Sequence, residues 1–158
     1  MTTVHHHTAP AGRELTRLAV SATVHCLTGC AIGEGLGMVL ATWWGWSDAP
    51  SIALAVGLAF LFGYALTIGP VLRSGLPLRA AIKVALAADT LSILTMEVVD
   101  NAILLAIPGA MDSGLTDLLF WGSLAVALAI AFVVTVPVNR ALIARGKGHA
   151  VVHEHHHH

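Results

Sequence analysis

The sequence predicts an all-α integral membrane bundle of four transmembrane helices, with N- and C-termini cytoplasmic. Three observations predict it. All eight basic residues fall in three clusters: Arg13 and Arg17; Arg73, Arg79 and Lys83; and Arg140, Arg145 and Lys147. Basic residues collect on the cytoplasmic side of a membrane, so three clusters separated by two apolar excursions describe four crossings. The 158 residues are 56% hydrophobic and 11% charged, which would leave a soluble domain short of polar surface. Aromatic residues mark the opposite interface, with Trp43, Trp44 and Trp46 at one turn and Phe120 and Trp121 at the other.

Residues 1–17 carry His5, His6, His7, Pro10 and a charged Arg-Glu-Leu-Thr-Arg run, and read as a cytoplasmic tail. The transmembrane domain then covers 18–142. Its first helix, 18–46, exceeds the roughly 20 residues needed to span a bilayer and runs outward. Ser47-Asp48-Ala49-Pro50 has an acid, no base and a helix-starting proline, so the second helix, 51–72, returns inward to Arg73. After the turn Ser74-Gly75-Leu76-Pro77, Arg79 and Lys83 can reach the headgroups from the start of the third helix, 78–107. Pro108-Gly109 stops it, a base-free loop follows, and the fourth helix runs over 118–142. Residues 143–158 form a second cytoplasmic tail rich in histidine.

Leu27-Thr28-Gly29-Cys30 resembles a lipoprotein cleavage signal, but the apolar run that continues from Ala31 would be stranded by cleavage. Cys26 and Cys30 are held four residues apart on one helix, a poor arrangement for a structural disulfide, so free thiols are expected.

The candidate chemistry lies on the first and third helices. Cys26, Cys30, Glu34 and Met38 recur at intervals of four and stack along one stripe, with His25 beside its lower end. Gly29, Gly33 and Gly37 form a second stripe that lets another helix backbone approach closely. On the third helix Asp89, Ser92, Met96 and Asp100 share a face, with Thr90, Glu97 and Asn101 on its shoulder. An ionised carboxylate at mid-membrane costs roughly 3 kcal/mol even on lenient insertion scales, so these acids demand partners, protons or water. Counting about 1.5 Å per residue from the inner interface sets His25 and Cys26 level with Asp89, Glu34 with Glu97, and Met38 with Asp100 and Asn101.

That pattern describes a ladder of ligands between two helices, with His25, Cys26 and Cys30 as primary metal ligands. Glu34, Met38, Asp89, Met96 and Glu97 follow as onward ligands, and Thr90, Asp100 and Asn101 complete the ion path or polar network. Soft sulfur and imidazole donors favour Cu(I) over Zn(II) as ligand or substrate. Packing and hydrogen bonding alone would also account for each residue taken singly. His5 to His7, His149, His153 and His155 to His158 would gather a metal ion on the cytoplasmic side, unless the last four are an affinity tag.

The run His25-Cys26-Leu27-Thr28-Gly29-Cys30-Ala31-Ile32-Gly33-Glu34, then Ala88-Asp89-Thr90, Glu97, Pro137-Val138-Asn139 and Arg145-Gly146, resembles the bacterial membrane family catalogued as domain of unknown function 4396. The resemblance covers most of the chain. It implies that His25, Cys26, Cys30, Glu34, Asp89, Thr90 and Glu97 form the polar centre shared by the family.

The expected function is binding and translocation of a transition-metal ion in an inner membrane by a homo-oligomer that is not an enzyme. No nucleotide-binding loop is present to drive it and no feature points to nucleic acid. The alternatives are a non-transporting accessory or metal-binding scaffold, and a proton or other cation channel using the buried acids. A thiol oxidoreductase ranks last, because the helical four-residue spacing suits redox cycling poorly.

Overall fold

Glycine and proline punctuate the chain where the hydrophobic runs change direction, and helices fill the intervals. A computed structural model describes residues 12–145. It contains α1 (Arg13–Trp44), α2 (Asp48–Arg73), α3 (Leu78–Ala106) and α4 (Leu118–Ala144). The expected histidine-bearing segments 1–11 and 146–158 lie outside the described residues.

The helix ends follow local chemistry. Gly45, at φ 66°, adopts the left-handed conformation that a side chain resists, and closes α1 in a Schellman turn. Its N–H and that of Trp46 donate to the carbonyls of Thr42 and Ala41. Asp117 caps α4 by accepting a 2.9 Å hydrogen bond from the N–H of Leu119.

Helix α1 starts earlier than the charged run suggested, at Arg13 rather than Leu18. The reason is Leu15, which is buried with Ala19 and Ala22 against Ile143 near the end of α4. That contact extends helical structure into what the sequence alone presents as a tail.

Close packing of α1 on α2 sets the frame. Gly29 lies against Gly63, Gly33 against Ala59 and Gly37 against Ala55, so the two helices run antiparallel with backbones in contact. The glycine stripe is thus consumed inside the chain. Helix α3 packs on α2 and α4, and α4 also packs on α1, which leaves α1 and α3 meeting diagonally across the centre. Near the basic end, Asn139 Nδ2 of α4 donates to Thr23 Oγ1 of α1 at 2.9 Å, and Thr23 in turn donates to the carbonyl of Ala19. Asn139→Ala is expected to cost about 1 kcal/mol, the usual scale for an interhelical hydrogen bond among membrane helices. Reversible unfolding in mixed micelles would read it, and an unchanged midpoint would show the contact to be idle.

Three helices, α1, α2 and α4, are long and apolar enough to cross a membrane, which makes this a membrane protein. Helix α3 matches them in length but carries Asp89, Glu97 and Asp100, all buried. Beyond Lys83 its outward residues are mostly apolar, among them Leu86, Leu91, Leu94, Val98 and Leu105, with Thr90 an exception. The polarity of α3 is therefore turned inward, the reverse of a helix on a water-soluble protein.

Candidate functional site

Spacings of three and four residues project one face of α1 and one of α3 to the same central line. From α1 come Cys26, Cys30 and Glu34, and from α3 Asp89, Ser92, Met96, Glu97 and Asp100, every one of them buried. The thiols of Cys26 and Cys30 are free and their sulfurs stand 4.0 Å apart. Met96 packs with both cysteines and with Ile93, Ala59 and Ala131 at the middle of the bundle.

The two faces meet as the sequence led us to expect, but about one helical turn out of the expected register. Cys26 lies beside Ser92 within the field of Asp89, Cys30 lies beside Glu97, and Glu34 faces Asp100. Counting had set Glu34 level with Glu97 and Met38 level with Asp100. The difference is a slide of α1 along α3 by about one turn, which a count along each helix by itself does not determine.

Carboxyl groups dominate the electrostatics of this seam. Both side-chain oxygens of Glu34, of Glu97 and of Asp100 are buried without a hydrogen-bond partner among the described residues. Asp100 is wholly inaccessible, and Glu34 and Glu97 are 4% and 3% exposed. Water does not stabilise charge there, so each group is served by a proton of its own, a proton shared with a neighbouring side chain, or a cation. Asp89, equally buried, is engaged with a neighbour.

Three of the expected site residues have other surroundings. His25 is engaged across the α1–α2 contact, where its Nε2 is hydrogen-bonded to Thr67 Oγ1 at 3.0 Å. Thr90 lies on the exposed side of α3, where its hydroxyl donates to the carbonyl of Leu86 and accepts from Tyr64 across to α2. Thr90 therefore stands apart from the seam. Asn101 uses Nδ2 to donate to the carbonyl of Glu97, one turn back on its own helix, at 2.9 Å. Among the described residues, no three His, Cys, Asp or Glu side chains converge in an arrangement that could hold a metal ion.

Beyond Glu34 the seam opens into a small cavity of ≈ 20 Å³, lined in part by Glu34, Met38, Asn101 and Met111. A cavity of that size admits about one water.

Sequence reasoning missed the polar partners Thr23, Thr67 and Tyr64, and Thr135, whose buried hydroxyl has no hydrogen-bond partner among the described residues. It also missed Met111, which lies in the loop between α3 and α4 and reaches the cavity only through the fold. For the hydroxyl residues the available signal was a polar side chain inside an otherwise apolar span.

The chain belongs to the family described as domain of unknown function 4396, whose model matches residues 17–148. No curated protein and no solved structure matches it.

Proposed function

We propose that this chain is a multi-pass protein of the inner membrane that binds cations in the seam between α1 and α3 and passes them across the bilayer. The observation that carries the proposal is the set of buried carboxyls, Glu34, Glu97 and Asp100, spaced along one seam with no hydrogen-bond partner among the described residues. Acids are costly in such surroundings, and a cation path gives them a use that packing does not.

The chain crosses four times with both ends cytoplasmic. In support, α3 presents leucine and valine outward and its acids inward, as a helix between lipid and a polar seam would. Arg13, Arg17, Arg73, Arg79, Lys83, Arg140 and Arg145 gather at one end of the antiparallel bundle, and Trp43, Trp44, Trp46 and Trp121 at the other.

The cargo is a soft transition-metal ion, with Cu(I) ahead of Zn(II). Sulfurs 4.0 Å apart can both bind one ion at the ~2.3 Å of a metal–thiolate bond, with an S–metal–S angle near ~120°. Met96, packed on the same cysteines, adds a thioether, a donor that suits Cu(I). Zn(II) asks for four tetrahedral donors, and among the described residues no three of the usual ones converge. That same absence favours a second cargo, the proton, for which the carboxyls suffice. A homo-oligomer remains part of the proposal, with the glycine stripe no longer available to form it.

Reconstitution into proteoliposomes tests this, with Ag(I) or Cu(I) uptake and internal pH followed side by side. Metal uptake is expected from the wild-type protein and lost in the Cys26→Ser, Cys30→Ser variant. Proton flux without metal flux would select the second cargo. Metal bound without any flux would make the protein an accessory scaffold, and neither binding nor flux would end the proposal.

A further inference from the structure

The cavity beyond Glu34 lies where α1 and α3 end and α2 and α4 begin, at the end of the bundle opposite the basic residues. Its walls are mostly apolar, including Ile52, Leu104 and Phe120, and it is partly open to the surroundings. The polar groups facing it share one property. Glu34 supplies a carboxyl, 4% exposed, that faces Asp100 and has no nitrogen donor among the described residues. Asn101, whose amide nitrogen donates to the carbonyl of Glu97, lines the cavity and carries a side-chain oxygen as a further acceptor. Met38 and Met111 supply thioether sulfurs. All four offer lone pairs, and among the described residues no Lys, Arg or His lines the space. Lone pairs repel an anion and reward a cation.

Size and softness narrow the guest further. A volume of ≈ 20 Å³ holds one water or one monatomic ion stripped of its hydration shell. A hard divalent ion gives up its waters reluctantly and seeks several oxygens, whereas two thioethers beside one carboxylate suit a soft monovalent ion.

We infer that this chamber is a binding site for one soft monovalent cation of the Cu(I) or Ag(I) class, held by Glu34, Met38, Met111 and the carbonyl oxygen of Asn101. It is separate from the thiol pair and serves as the outer station of the seam, so it rests on cation passage between α1 and α3. Asp112, exposed beside Met111 in the outer loop, adds negative charge to the approach.

Silver is the probe, and X-ray absorption at its edge distinguishes sulfur from the nitrogen of the histidine tails. The full chain carrying Cys26→Ser, Cys30→Ser and Met96→Leu, in mild detergent, is expected to show Ag(I) bound to sulfur. Adding Met38→Leu and Met111→Leu should remove that sulfur signal, and Glu34→Gln should weaken Ag(I) binding by about tenfold or more. A thermal melt confirms that each variant folds. Should that triple-variant background fail to fold, native mass spectrometry of the cysteine-containing protein reads the same event, with Met38→Leu and Met111→Leu removing one Ag(I) per chain.

Absence of silver–sulfur bonding in the triple-variant background, or its persistence after Met38→Leu and Met111→Leu, would overturn the site. If silver binds as expected while no cation crosses proteoliposomes, the site stands and passage fails. If cations cross while those two changes leave silver untouched, the site alone falls.

Discussion

Gly33→Ala is expected to destabilise the bundle by about 3 kcal/mol or more, the upper range for forcing an atom into a filled core. A Cβ at that position runs into the backbone of Ala59 and Leu58, and backbone cannot step aside as a side-chain tip can. Gly29 is nearly as tight, since a Cβ there would come 2.7 Å from the Cα of Gly63. The control is Gly35, around which nothing lies within 4 Å; alanine there should be neutral or stabilise by up to ~1 kcal/mol through helix propensity. Unfolding in mixed micelles measures both. Equal stability of the two variants would show that α1 and α2 do not pack through the glycine stripe.

The second large effect is expected at Glu97, which stands between Cys30 and the Glu34–Asp100 contact. Glu97→Gln keeps the shape and removes the charge. An ion stabilised there loses an interaction on the scale of the membrane cost of an acid, roughly 3 kcal/mol, which corresponds to a drop in cation flux of roughly 100-fold. Glu97→Asp should recover part of the flux, because the charge returns on a shorter stem. If the carboxyl served only to fix packing, glutamine would conduct as well as the wild type. A buried acid without a partner is a liability to stability, so Glu97→Gln should also leave the fold no less stable, and the same unfolding measurement reads that.

The membrane character of this chain was legible in its residues because lipid imposes a rule that needs no knowledge of neighbours. A span must be about 20 apolar residues long, and charges and aromatic rings must stay at its ends. The limits of α2, α3 and α4 accordingly fall within a few residues of the expected ones. Helix α1 departed at its start, where a charged run hid Leu15, whose value comes only from Ile143 at the far end of the sequence.

The polar site was legible to the same degree and for the same reason. Few polar residues occur within the spans, and helical periodicity puts Cys26, Cys30 and Glu34 on one face and Asp89, Ser92, Met96 and Asp100 on another. Which residue of one face meets which of the other was not legible. A turn of slip along α1 exchanges Glu34 for Met38 opposite Asp100 without altering any local pattern.

The sequence by itself determined that there are four helices, where they turn, and which faces carry acids and sulfur. Those properties follow from the period of the helix and from the solvent on either side of it. Only the tertiary structure decided that the glycine stripe is spent on α2, that His25 bonds to Thr67, that Thr90 stands away from the seam, and that Met111 joins Glu34 at a cavity. Each of these depends on the rotation and sliding of one helix against another. Contacts between residues distant in the chain set those two quantities, and no local stretch of sequence encodes them.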